Sequence, residues 1–350
     1  MENNSTVPNP FTPTFGKTPL VLAGREEILE DMAEGFENGS GDPNLSTAFI
    51  GSRGIGKTAL LSCICDEALG YGWISASVSA APGMLDDLLI QARMAADDYI
   101  ARESRLRLSS IELGPVSASW EYTVDGGNWR SRMTSLLEQL EAHDIGLLIT
   151  VDEVAANVDE MIQLATTYQH FVREDRKVAL VMAGLPFNMS SLLRDKTVSF
   201  LRRARQHQLG PLSDEDVRLA LAETFDSTAT TVDDDAMNLC VEATDGFPYM
   251  MQLIGYYTWR LVKQGGHVGL EDARKGIKRA HAELQANVLD ATCGELSPTD
   301  MKFLAAMVED PHESTLADIA TRMGVKSNYA SKYKARLLAA GVIDEKRRGV

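Results

Sequence analysis

The chain has 350 residues, 44% of them hydrophobic and 24% charged, with a formal net charge of −16. That length suits two or three domains and that composition a globular protein, which excludes both a peptide-scale scaffold and a disordered chain. An acidic balance also argues against a surface that coats nucleic acid or anionic membrane throughout, but the charge is uneven: residues 326–350 carry a net +5, leaving −21 on the rest.

Residues 1–20 hold Pro8, Pro10, Pro13 and Pro19 and read as an extended arm, since proline disfavours helix at and before its own position. The arm has neither a basic start nor an apolar stretch, so no secretory signal is expected. A helix is predicted over 25–36, ended by the Gly/Asp/Pro/Asn cluster at 39–44. Strands are predicted at 47–51, 73–78, 146–151 and 178–183, alternating with amphipathic helices. This is the α/β pattern of a three-layer αβα parallel sheet. Residues 105–127 depart from it: their polar and apolar alternation around Gly-Pro predicts an inserted β-hairpin before a helix at 129–142.

Four cysteines occur, Cys63, Cys65, Cys240 and Cys293, without partners at metal-ligand spacing, and they read as buried thiols in a reducing compartment. The longest apolar run, 178–187, is too short to span a membrane. A cytoplasmic protein without membrane contact is therefore expected. After Gln206 the β signals stop, and helices are predicted at 213–225, 234–244, 248–264 and 270–289. Three short helices follow at 298–308, 315–323 and 327–340. The expected division is an arm at 1–20, a sheet domain at 21–211, an all-α lid at 212–292 and a small helical domain at 293–350.

The first strand runs into Gly51-Ser52-Arg53-Gly54-Ile55-Gly56-Lys57-Thr58-Ala59, which fits G-x-x-x-x-G-K-[ST] in its required place between a strand and a helix. Glycines let backbone N–H groups turn inward around phosphate oxygens, and the helix that follows adds a favourable dipole. Lys57 would bring positive charge to the β and γ phosphates, and Thr58 a hydroxyl to Mg2+. The apolar strand at 146–151 leads into Asp152-Glu153 at its carboxyl end, where ligands collect in open α/β sheets. Asp152 is placed to hold Mg2+ through water and Glu153 to activate the attacking water; the alternative for Glu153 is an acid that stabilises a helix start.

With these motifs the chain resembles the AAA+/STAND superfamily of P-loop ATPases, and within it the origin-recognition-type initiator ATPases of archaea and related bacterial proteins. The resemblance covers about 17–345. It rests on Leu22-Ala23-Gly24-Arg25-Glu26-Glu27, the loop at 51–58, Asp152-Glu153, and a winged-helix-like tail behind a helical lid. It implies adenine contacts from Leu22, Gly24 and Arg25, the alternative being the polar start of the first helix. The strand after Asp-Glu ends in Ala183-Gly184, where the family carries a polar sensor, which puts direct phosphate sensing there in doubt. In Phe200-Leu201-Arg202-Arg203-Ala204-Arg205 the resemblance points to Arg203 or Arg205 as an arginine finger, acting in trans on a neighbour's ATP or in cis, against an ordinary surface cluster. Thr244-Asp245-Gly246-Phe247-Pro248-Tyr249 resembles the G-x-P motif of STAND ATPases, with Pro248 over the nucleotide and no arginine in the position of a second sensor.

The last segment reads as a helix-turn-helix. Ser297 or Thr299 around Pro298 signals a helix start, and Gly324 and Val325 join the second and third helices. Ser327, Asn328, Ser331, Lys332, Lys334 and Arg336 on the third supply groups for phosphates and base edges. Gly341-Val342-Ile343 looks like a first wing strand, and the sequence stops before a second, so an incomplete wing is expected. Duplex DNA is the favoured partner, with protein contact as the alternative.

The expected function is ATP binding and slow Mg2+-dependent hydrolysis to ADP and phosphate, acting as a switch on the C-terminal surface, with a homo-oligomer open. The alternative is a nucleotide-bound regulator or scaffold that does not hydrolyse. A P-loop kinase is disfavoured by the Asp-Glu pair and the helical lid.

Overall fold

The computed structural model of the protein describes residues 7–14, 16–110, 128–155, 159–289, 296–310 and 313–343. Five strands, β1 (Ser46–Ile50), β2 (Trp73–Ser79), β3 (Gly146–Asp152), β4 (Val178–Gly184) and β5 (Arg205–Gln208), form one parallel sheet in the order β2-β3-β4-β1-β5. Their near-continuous apolar sequence follows from helices on both faces. Leu147, Ile149, Val151, Leu180 and Met182 face a core built with α3 (Met84–Ser110), α4 (Trp129–Glu141), α5 (Asp159–Arg173) and α6 (Pro186–Arg194). Leu148, Ala179, Val181 and Ala183 face the opposite core, with α1 (Glu26–Asn38) and α2 (Lys57–Ala68). Successive residues alternate between the two cores, as the strand period of two requires.

Four helices follow: α7 (Asp214–Asp226), α8 (Asp234–Thr244), α9 (Pro248–Val262) and α10 (Leu270–Leu284), packed around Leu221, Phe225, Leu253 and Ile254. Ser213 and Asp216 close a capping box at the start of α7, which ends the chain's exit from the sheet. A short parallel pairing of β6 (Thr231–Val232) with β7 (His267–Val268) ties their loops together. Two residues per strand leave too little pattern to read, and the sequence predicts no strand there. A π-helical turn, Gln285–Leu289, extends α10. The last helices, α11 (Pro298–Val308), α12 (Leu316–Arg322) and α13 (Ser327–Ala339), enclose Phe303, Ile319, Ala330 and Leu337. The start of α6 meets the end of this bundle, where Leu185 packs at Gly341.

Two expectations are corrected. Residues 105–110 continue α3 as helix, so the expected hairpin at 105–127 does not begin there, and its remainder, 111–127, lies outside the described residues. Residues 341–343 form a turn and bend, not a wing strand, and 344–350 lie outside the described residues. Among the described cysteines Cys240 is buried and Cys63 and Cys65 half-buried, all as free thiols. Burial, with Glu67 and Asp66 nearby, pushes the Cys63 thiol up to about 11, so it stays protonated. No described helix is long and apolar enough to cross a membrane.

Candidate functional site

The carboxyl ends of β1, β3 and β4 converge where the two motifs meet. After Ile50 the loop turns through Gly54 and Gly56, at φ +77° and +89°, a left-handed conformation that glycine adopts without penalty. Ile55 is buried in the core between sheet and α2 and anchors the loop. Gly56 caps α2 without a side-chain hydrogen bond, and the start of a helix is where backbone N–H groups can meet an anion. Lys57 Nζ lies folded over the loop, donating to Gly51 O (2.8 Å) and Ser52 O (2.7 Å). Ser52 and Ala59 flank the turn half-buried, and Arg53 is exposed.

Across the site the Thr58 hydroxyl donates to Asp152 Oδ2 at 2.6 Å, and the Glu153 backbone N–H donates to Asp152 Oδ1 at 2.8 Å. Both carboxylate oxygens are thus oriented from within the site. Glu153 is exposed and takes φ +51°, a conformation costing about 1–2 kcal/mol for a residue with a Cβ. The hydroxyl and carboxylate pair is a hard-oxygen donor set suited to Mg2+, whose other ligands would come from phosphate and water. Among the described residues no group of three or more His, Cys, Asp or Glu side chains could hold a metal alone.

The next strand end carries no polar side chain, and packing explains why. Val154 N–H donates to Ala183 O (2.9 Å), and a Cβ at Gly184 would lie 3.0 Å from Met189 Cγ and 3.2 Å from Val154 Cβ. The space a polar sensor would need is filled by apolar atoms.

On the N-terminal side of the loop, Leu22 packs with the core that holds Ile55 and Leu209. Arg25 reaches back to the segment leading into the lid, donating from Nη2 to Gly210 O (2.9 Å) and from Nη1 to Gly24 O (3.0 Å). Burial pulls the Arg25 guanidinium below its ordinary value, opposed by Asp216 and Glu26. A cleft of about 560 Å³ opens beside it, lined by Gly24, Arg25, Ile28, Gln206, His207 and Leu209. Gln206 and His207 line this cleft although the sequence offers no motif that marks them. Burial lowers the His207 pKa, with Arg205 adding to the effect and Asp31 and Glu27 opposing it.

The lid closes from the other side. A Cβ at Gly56 would lie 3.7 Å from Pro248 Cγ, and one at Gly54 3.7 Å from Tyr249 Cβ. Phe247 packs against the lid core and the α1/α2 core together.

Two sets of expected residues stand elsewhere. Arg205 pairs in register with Thr47, four residues before Gly51; at ~3.3 Å per residue that places it about 13 Å from the loop. It ion-pairs with Asp31 (3.4 Å), and Arg203 precedes it, exposed. The contact seen for Arg205 is with Asp31 of α1, not with the loop. On the C-terminal bundle, Ser327, Asn328, Ser331 and Lys332 share the exposed face of α13, and Lys334 is half-buried. Arg336 reaches the start of α11: Nε donates to Asp300 Oδ1 (3.0 Å) and Nη2 to Ser297 Oγ (2.6 Å). Its charge is paired with Asp300 although its side chain stays about half exposed.

A family model described as "Domain of unknown function (DUF8462)" matches residues 286–350. No curated protein matches the chain. Among solved structures, the Aeropyrum pernix ORC2 protein, determined as ADPNP–ADP complexes, superposes with a TM-score of 0.63 at 15% identity, covering 96% of this chain and 90% of that one. The Walker-type ATPase PABY2304 of Pyrococcus abyssi gives 0.65 at 15% identity, covering 91% and 89%. Cdc6p from Pyrobaculum aerophilum gives 0.51 at 16%, covering 96% and 90%. At such identities the likeness concerns the fold, and this chain shares with these structures a fold of a parallel αβα sheet followed by a helical C-terminal portion.

Proposed function

We propose that the protein binds ATP at Gly51–Thr58, hydrolyses it slowly to ADP and phosphate with Mg2+, and uses the nucleotide state to control its C-terminal helical module. The observation that carries this reading is the Thr58 hydroxyl at 2.6 Å from Asp152 beside the glycine loop, with Glu153 next in sequence. Mg2+ held at Thr58 and Asp152 would offset charge on the β and γ phosphate oxygens. Lys57 leaves its two carbonyls to orient those phosphates. Glu153 takes a proton from the attacking water as its oxygen bonds to the γ phosphorus and the bond to the β–γ bridging oxygen breaks. Leu22, Gly24 and Arg25 border the base, and Phe247, Pro248 and Tyr249 report the nucleotide by packing. Glu153→Gln is expected to bind ATP as wild type does and to lose about 100-fold or more in single-turnover phosphate release. Retained turnover would remove Glu153 from this role.

The proposed division is a sheet domain over 21–211, a lid over 212–292 and a DNA- or partner-binding module over 293–350. Arg203 and Arg205, at the amino edge of the sheet, are placed to serve a nucleotide on a second copy. For DNA the exposed face of α13 is the contact. Lys332→Ala is expected to weaken duplex binding and reduce the slope of log affinity against log salt by about 1. An unchanged slope would move the contact away from this face and favour a protein partner.

Ala183-Gly184 and a lid start without arginine favour a second reading, a nucleotide-loaded regulator that does not hydrolyse. Phosphate release from wild type, measured with and without duplex DNA, separates the two.

A further inference from the structure

We propose that the lid carries a recognition groove for residues 9–12 of this chain's own N-terminal arm, and that the seated arm is a strap holding the lid against the sheet domain. Phe11 is 2% exposed, and its ring meets Phe225 of α7 edge-on at 4.8 Å between centroids. The hole that admits it exists because residue 255 of α9 is glycine: a Cβ there would lie 2.2 Å from Phe11 Cε1. Polar contacts fix the segment on either side of the ring. Asn9 Nδ2 donates to Tyr256 O (3.0 Å), Asn9 Oδ1 accepts from Phe11 N–H (3.0 Å), and Thr12 N–H donates to Gln252 Oε1 (2.9 Å). An aromatic plug in a glycine-floored hole, with main-chain groups matched at both ends, is how a groove recognises an extended peptide.

The same arm is held a second time further along. Val21 and Ala23 pack into the lid core, while Leu22 between them packs into the core beneath the phosphate loop. Side chains that alternate between two cores make these three residues a wedge in the seam. Arg25 then fastens the wedge to Gly210, in the segment joining sheet and lid. An arm anchored on the lid at 9–12 and in the seam at 21–25 resists separation of the two bodies. The consequence for the nucleotide rests on the function proposed above; the strap itself does not.

The test uses the full chain as wild type, Phe11→Ala and Asn9→Ala, with hydrogen exchange of residues 206–212 measured without nucleotide and release of a fluorescent ADP analogue measured beside it. The strap predicts that Phe11→Ala speeds both by about tenfold and Asn9→Ala, which leaves the lid core intact, by a few-fold. A synthetic peptide of residues 7–14 added to Phe11→Ala refills the groove without a link to the seam and leaves both fast. Seam exchange that matches wild type in both variants overturns the strap, as does full restoration by the peptide, which would make groove filling alone sufficient. Wild-type seam exchange that falls as protein concentration rises would mean arms traded between copies, and also overturns it. If wild type fails to hold the analogue while seam exchange responds as stated, the strap stands and the nucleotide reading falls.

Discussion

Lys57→Ala is expected to weaken ATP binding by about two orders of magnitude while leaving the melting temperature nearly unchanged. In the structure Lys57 Nζ satisfies two neutral carbonyls of its own loop, Gly51 O and Ser52 O. Binding exchanges these for anionic oxygens, which hold an ammonium more strongly than neutral carbonyls do, by about 1–1.5 kcal/mol per bond. With two bonds exchanged the loss is about 30- to 150-fold in affinity. The fold loses little, because the loop carbonyls freed by the substitution can turn to water and Ile55 still anchors the loop. Calorimetric titration with a non-hydrolysable ATP analogue, run beside a thermal melt, checks both halves. Wild-type affinity in the variant would show that the lysine does not serve phosphate.

The contrast with Glu153→Gln follows from position. Lys57 would act on bound and reacting phosphate alike, so its loss appears in affinity. Glu153 would act on water that is activated only during reaction, so its loss appears in turnover. The left-handed backbone at Glu153 presents its side chain outward from the strand end, while its N–H steadies Asp152. One residue would therefore support the proposed cation site by its backbone and the water by its side chain. Glutamine keeps the first and removes the second.

What the sequence shows plainly is whatever has a short-range cause. β3 and β4 read as strands because helices cover both faces and leave no polar position between Leu147 and Ile149 or between Val178 and Ala183. The phosphate loop reads because its glycines and lysine lie within eight residues. The features missed have distant causes. Prolines announce that the arm is extended, but not that Phe11 finds a hole at Gly255. Arg-Leu-Arg-Leu at 105–108 alternates like a strand, yet follows a helix that runs on through Ser110. The +5 of the tail counts Arg336 as available, but its partner Asp300 lies 36 residues earlier. Arg205 meets Asp31 across 174 residues. Charge counted along a chain does not reveal which charges are already paired in the fold.

That pairing lets Asp300 tie α11 to α13 in the C-terminal bundle. Its side chain is 2% exposed, accepts from Ser297 N–H (2.9 Å) and Oγ (2.8 Å) at the start of α11, and takes Arg336 of α13 on both oxygens. Asp300→Ala leaves those donors without an acceptor, at a cost of about 2 kcal/mol, discounted because Arg336 itself stays about half exposed. Burial alone would push this carboxyl up, but the hydrogen bonds from Arg336 and Ser297 outweigh it and hold it below its ordinary value. Arg322 and Ser314 likewise hold Asp310 down at about 2. A carboxyl whose folded value is depressed contributes stability above its unfolded value, near pH 4, and that contribution is lost as pH falls through the folded one. The bundle is therefore expected to loosen between about pH 4 and pH 2, seen as faster hydrogen exchange over residues 298–339 of the full chain once the intrinsic pH dependence is removed. Asp300→Asn should be looser than wild type at pH 7 and show a shallower acid transition. An Asn variant with wild-type protection at pH 7 would mean that the Asp300–Arg336 pair does not hold α11 to α13.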